Sequence, residues 1–247
     1  MLLQLNAAPG IHRVEDAHVN WYLVEGVDGL TVVDAGLPDS WNSLREALER
    51  LGRRLDDVRA LVLTHAHFDH VGFAQRAARE LRVPVYLPDG EQPIARHPLR
   101  YPHARSRLRY LLRPRPFAMV LDMVRAGMLR VEPVRDATTY RAGDVLPVPG
   151  SPRAIATPGH TPGHLSLAFP EHDALIAGDA IVTLDPYTAR RGPRVVARAA
   201  TADPQRALAS LEALRATGAQ HVLPGHGEPW PDGVDWAVDL AARAGAA

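Results

Sequence analysis

The chain has 247 residues, 46% of them hydrophobic, with 28 basic residues balanced by 28 acidic ones and no cysteine. The length suits one large α/β domain, zero net charge gives no global pull toward nucleic acid or an anionic membrane, and disulfides and thiolate metal sites are excluded. Lysine is absent as well, so every basic residue is an arginine and Schiff-base chemistry is ruled out.

The first residues, Met1-Leu2-Leu3-Gln4-Leu5-Asn6, lack the basic start and apolar core of a secretory signal. No stretch approaches the ~20 apolar residues that span a bilayer. A cytoplasmic location is expected. Val19–Val24 and Leu30–Val33 read as a hairpin with Gly26 and Gly29 in its turn. Asp39 or Ser40 can cap a helix whose apolar face is Trp41, Leu44, Leu48 and Leu51.

The run Ala60-Leu61-Val62-Leu63 predicts a strand, and Thr64-His65-Ala66-His67-Phe68-Asp69-His70 follows it directly. His65, His67, Asp69 and His70 place four metal-capable side chains within six residues. Imidazole and carboxylate together suit zinc and similar divalent ions. Alternate positions ending in an Asp-His pair can reach two neighbouring ions from one loop. A helix near 71–82 and a strand at Val83–Leu87 come next.

The segment 88–140 is unusual. Between Glu91 and Asp122 there is no acid but seven arginines: Arg96, Arg100, Arg105, Arg107, Arg109, Arg113 and Arg115. Leucines, Phe117, Val120, Met119, Met123 and Met128 supply apolar surface alongside them. A helical cap, with Arg105 and Arg109 meeting an anionic substrate, is one reading. A membrane-surface or partner patch is another, and a solvated arginine face with the apolar face in the core or a dimer interface is a third.

Strands recur near 144–148, 153–157, 164–169 and 173–177. Asp203-Pro204 starts a helix with Leu208, Leu211 and Leu214 on one face and Gly218 beyond it. A strand at 220–223 and a closing helix at 233–243 complete the pass, with no repeat or low-complexity linker. Three further metal-capable residues each follow a short apolar run beside glycine or proline. His160 lies in Thr157-Pro158-Gly159-His160-Thr161-Pro162-Gly163-His164, Asp179 in Gly178-Asp179, and His226 in Pro224-Gly225-His226-Gly227. Strands ending in such turns can bring distant side chains to one rim of a sheet.

His65-x-His67-x-Asp69-His70, then His160, Asp179 and His226, resembles in order and type the ligand pattern of the metallo-β-lactamase-fold hydrolase superfamily. Composition supports only an α/β class. The resemblance implies a four-layer αββα sandwich of two pseudo-equivalent halves, roughly 1–140 and 141–247, in one domain with a helical insertion at about 88–140. It further implies that His65, His67 and His160 bind a first metal, that Asp69, His70 and His226 bind a second, and that Asp179 bridges both with a hydroxide between them. The ions would be zinc, with iron or manganese as alternatives. Two carboxylates against two dications leave a positive site that lowers the pKa of bound water.

The chemistry so implied is hydrolysis of an ester, thioester or lactone carbonyl in a small acyl or anionic substrate, with Asp69 guiding the nucleophile. Asp34 would steer a ligand imidazole, and His164 would support the site without ligating. Tyr187 would polarise a substrate carbonyl, unless it is a turn tyrosine. His12, His18, His97, His103, His172 and His221 read as surface or packing residues. Ser151, Ser166 and Ser210 lack a nucleophile-elbow context, so a serine hydrolase is not expected.

Within the superfamily, β-lactamases of the commonest kind use a cysteine ligand, which this chain lacks. A glyoxalase II-like thioesterase has the same ligand set, but the 21 residues after His226 leave no room for that family's C-terminal glutathione-binding domain. Lactonases carry their tyrosine closer to the bridging aspartate than Tyr187 stands. Ribonuclease Z-like enzymes bring an RNA-gripping arm not seen here, and His67 argues against flavodiiron proteins. β-Lactam or phosphodiester hydrolysis, or a mononuclear-iron persulfide dioxygenase, are the alternative activities. A binding module without catalysis predicts a broken ligand set, and all seven positions are intact. An oligomer is compatible with the sequence, and no nucleic-acid partner is expected.

Overall fold

The structure, a computed structural model, describes residues 1–106, 110 and 112–246. Among these residues the larger sheet holds seven strands, each beside its neighbour in sequence: β1 (Leu2–Ala8), β2 (Ile11–Asp16), β3 (Val19–Gly26), β4 (Gly29–Val33), β5 (Val58–Val62), β6 (Val85–Pro88) and β7 (Ala137–Tyr140). Pairing is antiparallel from β1 to β4 and parallel from β4 to β7. The second sheet runs in the order β13 (His221–Pro224), β10 (Ala174–Gly178), β9 (Leu165–Phe169), β8 (Arg153–Ala156). A ribbon of β11 (Val182–Leu184) and β12 (Arg191–Arg194) stands apart.

Period-two alternation in the strands builds the layers. In β3, Trp21 and Leu23 face a core shared with Trp41, Leu44 and Leu48 of α1 (Ser40–Arg50) and Ala74 and Ala77 of α2 (Ala74–Glu80). Tyr22 and Val24 face the opposite way, into a core between the sheets with Leu165, Leu167, Phe169 and Ile176. In β10, Ala174 and Ile176 join that central core, while Leu175 and Ala177 turn outward. They meet Ala207, Leu211, Leu214, Val238 and Ala241, which lie along α5 (Pro204–Ser210), α6 (Glu212–Arg215) and α7 (Val234–Ala244) and the turn between the first two. The order is helix, sheet, sheet, helix: the expected αββα sandwich. Each buried Leu or Val contributes ~1.5–3 kcal/mol relative to exposure. Trp21 also meets the Phe73 ring edge-on at 5.5 Å.

Several expected elements shift. The strand near 144–148 does not form; Val145 makes only an isolated bridge to Arg153. Pro147 has no N–H to give a ladder. The helix expected at 71–82 begins only at Ala74, because 67–73 is spent on turns around the metal-capable loop. The segment 88–140 is not wholly an insertion. It contains α3 (Gln92–Ala95) and α4 (Pro114–Arg125), but ends in the edge strand β7. Asp203 caps α5, accepting from the backbone N–H groups of Gln205 and Arg206. Asp39 makes no such cap, since its carboxylate takes Arg130 Nη2 at 2.9 Å, while Ser40 Oγ accepts from the Leu37 N–H. Among the described residues no helix is long and apolar enough to cross a membrane.

Candidate metal centre

The metal-capable residues come together at one rim of the two sheets. β5 delivers the loop His65–His70, β10 ends in Gly178-Asp179, and β13 ends at Pro224 before Gly225-His226. The turn between β8 and β9 supplies His160. Two glycines permit this convergence. A Cβ on Gly225 would lie 2.1 Å from Asp179 Oδ1. Gly178, at φ +53°, would press a Cβ to 2.8 Å from His164 Nε2.

Three overlapping trios each place their ligand atoms within 4.8 Å of one another: His65, His67 and His160; His65, His70 and Asp179; Asp69, His70 and His226. Asp179 lies between the outer two. Its Oδ2 is 3.3 Å from His160 Nε2 and 3.4 Å from His226 Nε2, and its Oδ1 is 3.5 Å from His70 Nε2. His226 Nε2 is 3.5 Å from Asp69 Oδ2. His67 turns Nδ1 toward His160 Nε2 at 2.9 Å.

These spacings suit a divalent ion. Four ligands at ~2.0–2.1 Å in a tetrahedron stand about 3.3–3.4 Å from one another, longer than the usual hydrogen bond. His65 Nε2, His70 Nε2 and Asp179 Oδ1 are buried without a hydrogen-bond partner. Buried polar atoms rarely lack partners, and these three belong to a single trio.

Protonation divides the cluster. Burial, reinforced by neighbouring imidazoles, holds His65 well below the usual histidine value, and burial does the same for His67. Burial also pushes His160 and His164 down to about 3. All four are neutral near pH 7, the form that coordinates metal. At His70 burial opposes the charge, but Asp179 and Asp34 outweigh it and raise the pKa to about 9. Asp179 and Asp69 raise His226 in the same way. Against their own burial, the surrounding imidazoles hold both aspartates below the carboxylate range.

A second layer aims these rings. Asp34 follows β4 at φ +61°, a left-handed conformation that aspartate tolerates better than most residues. Its carboxylate accepts from the Thr64 N–H at 2.8 Å and from His70 Nδ1 at 2.9 Å, which turns His70 Nε2 into the cluster. Asp34→Ala is expected to weaken metal affinity or activity by about 10–100-fold. Titrating metal into the apo variant checks this, and wild-type affinity would reduce Asp34 to a turn residue. His164 stands behind the cluster, its Nε2 accepting from the Asp179 backbone N–H at 3.1 Å and its Nδ1 meeting Thr157 Oγ1 at 2.8 Å.

Other supports have no counterpart in the sequence pattern. His226 Nδ1 donates to the His18 carbonyl at 2.7 Å, so His18 serves the site through its backbone. Thr201 Oγ1 lies 3.4 Å from His160 Nδ1. Glu91 is fully buried and joins the two metal-capable loops: Oε2 accepts from the Ala66 N–H at 2.9 Å and Oε1 from the Gly163 N–H at 2.8 Å. Burial raises the Glu91 pKa although those two amides stabilise its anion. Asn20 and Tyr22 hold the last loop through the Pro224 carbonyl, at 2.9 and 2.6 Å.

The sequence pattern of the metallo-beta-lactamase superfamily matches residues 14–226. The chain belongs to the metallo-β-lactamase superfamily. It is therefore a metal-dependent hydrolase of a superfamily that binds divalent ions. It is 30% identical over 192 residues to the probable metallo-hydrolase YflN of Bacillus subtilis, covering 72% of this chain and 67% of that one. An N-acyl homoserine lactonase of a Bacillus species is 23% identical over 223 residues, covering 81% and 76%. The crystal structure of a metallo-beta-lactamase family protein from Thermus thermophilus superposes with a TM-score of 0.68 at 28% identity, over 93% of this chain and 77% of that one. The matched stretch spans 67% of YflN and 61% of a second B. subtilis relative, YobT.

In this superfamily member a cavity of about 200 Å³ adjoins the cluster. His67, Asp69, Asp179 and His226 line one side of it. Phe68, Tyr101, Val120, Met123, Met128, Pro186, Tyr187, Val196 and Ala200 form the rest. A larger cleft of about 450 Å³ runs past Gln92, Arg96 and Val134 and holds none of the metal-capable residues. Tyr187 thus reaches the chamber, its hydroxyl 3.4 Å from that of Tyr101. The Tyr101 ring lies against His67 with centroids 3.8 Å apart and planes tilted by 33°. Arg105, expected to contact substrate, is exposed and outside this lining, its backbone N–H bonded to the Arg198 carbonyl. A guanidinium keeps its head in water where no anion draws it inward. Arg109, the other expected contact, lies outside the described residues, as does Arg107.

Proposed function

We propose that this hydrolase carries two divalent ions, expected to be zinc, and cleaves the acyl carbonyl of an ester, thioester or lactone. His65, His67 and His160 would hold one ion, and Asp69, His70 and His226 the other. The observation that carries this proposal is Asp179, whose two carboxylate oxygens lie 3.3–3.5 Å from imidazoles of both sets. One carboxylate in that position can serve both ions. Bound dications would supply Lewis acidity and a nucleophile near neutral pH.

The chain's own groups do the rest. Asp69 lines the chamber with a carboxylate oxygen 3.5 Å from His226 Nε2, where it can accept a proton from an attacking water. Tyr187 brings a phenol into the same chamber, where it can donate a hydrogen bond to a substrate oxygen. Asp34, His18 and Thr201 hold the rings of His70, His226 and His160, so little reorganisation is needed during turnover. The apolar chamber favours an acyl group over a phosphodiester, and the lactonase similarity is in keeping with a carbonyl substrate.

The test is a hydrolysis screen of the metal-loaded protein over esters, thioesters, lactones, β-lactams and phosphodiesters. Chelator-sensitive turnover is expected with one of the first three classes. Turnover of β-lactams or phosphodiesters at least ten times faster, or activity that survives complete chelation, would overturn the assignment.

A further inference from the structure

The chamber has a composition that the metal cluster does not require. Phe68 comes from the metal loop, Val120 and Met123 from α4, Met128 from the turn after it, and Pro186, Val196 and Ala200 from the segment around β12. All of these side chains are hydrocarbon or thioether. Met123 is 3% exposed and belongs to the core shared with Phe68 and Val196, so this wall is fixed by packing. Met119 and Pro116 are buried on the same helix, while Phe117 and Leu121 face outward. Of this helix, Val120 and Met123 line the chamber beside the cluster.

We infer that α4 and its neighbours form a receptor for an unbranched hydrocarbon chain on the acyl side of the substrate, so that affinity is set by chain length. The inference rests on the proposed carbonyl hydrolysis. Burying an alkyl chain against such a wall gains free energy with each methylene removed from water. A polar or very short acyl group would leave Val120 and Met123 facing ordered or missing solvent and gain nothing. The methionines add adaptability, since an unbranched thioether moulds to a chain that fills the space incompletely.

The experiment compares acetyl, butanoyl and hexanoyl esters of one leaving group on the metal-loaded protein. kcat/KM is expected to rise about 4-fold per methylene, chiefly through KM. Met123→Ser and Val120→Ser should each flatten that slope, with metal content and Tm measured on the same samples. A second arm follows saturation transfer from protein methyls to acetamide and hexanamide, with the free acids monitored so that only uncleaved amide is read. Contact confined to hexanamide, and lost in Met123→Ser, supports the receptor whether or not any ester is cleaved. Cleavage of none of these esters, and of no thioester or lactone in the wider screen, by protein holding both ions would overturn the proposed reaction while the amide arm still decides the receptor. A flat chain-length profile, or equal transfer to both amides, overturns the receptor itself. Val120→Ser, at a half-buried position, keeps the test decisive if Met123→Ser fails to fold.

Discussion

Replacing Asp179 with alanine is expected to lower kcat/KM at least ~1,000-fold, equivalent to about 4 kcal/mol, and to deplete both metal positions together. The reason is geometric. Asp179 Oδ2 faces His160 and His226, and its Oδ1 faces His70, so one side chain touches residues of both proposed sets. Without it neither proposed ion keeps its carboxylate neighbour, and His160, His226 and His70 lose the group that stands between them. The site then loses negative charge against two dications. Metal content by elemental analysis beside steady-state kinetics checks the result. A variant that keeps one ion at wild-type affinity would show that Asp179 serves only one side.

The second large effect separates His160 from His164, four residues apart in the same turn. His160→Ala should lose the ion proposed to sit with His65 and His67, because His160 Nε2 lies 2.9 Å from His67 Nδ1 and 3.3 Å from Asp179 Oδ2. His164 Nε2 instead accepts the Asp179 backbone N–H, and its Nδ1 meets Thr157. Its loss leaves a buried donor unpaired, costing ~1–3 kcal/mol of stability. His164→Ala should therefore lower Tm and reduce activity by about 10–100-fold while metal content persists. Elemental analysis and thermal unfolding of both variants decide this. The reverse pattern would exchange the roles assigned to the two rings.

Much of this site was legible in the sequence because each metal-capable residue stands just beyond a short apolar run. Leu61–Leu63, Leu175–Ala177 and Val222–Leu223 are strands or strand ends, so their following residues meet at one rim. The supports were less visible because they act through backbone atoms or through burial created by the fold. His18 uses its carbonyl, and nothing around Glu91 announces a fully buried acid. Beside it the two loops approach closely, since a Cβ on Gly90 would lie 2.8 Å from Gly163 Cα.

The fold shows the same division. The β3–β4 hairpin is expected from two apolar runs joined at Gly26 and Gly29, and both of its faces are buried. β1 is largely exposed along its first residues, and β2 buries His12 and Arg13, so neither carries an alternating apolar pattern. Arg13 is buried among Asn20, Glu15 and Glu228, and only the folded sheet supplies those partners. β7 buries Tyr140 alone, which hid an edge strand inside a segment dominated by arginine. Conversely, Val145, Leu146 and Val148 imitate a strand, but the prolines at 147 and 149 prevent a ladder.

Metal stoichiometry bears on all of this at once. Protein produced in zinc-supplemented medium, freed of loose metal and measured by elemental analysis, is expected to hold close to two divalent ions per chain. A value that stays near one, in protein with unchanged folding and unchanged Asp179, would remove the shared-carboxylate mechanism and return the chain to a mononuclear chemistry.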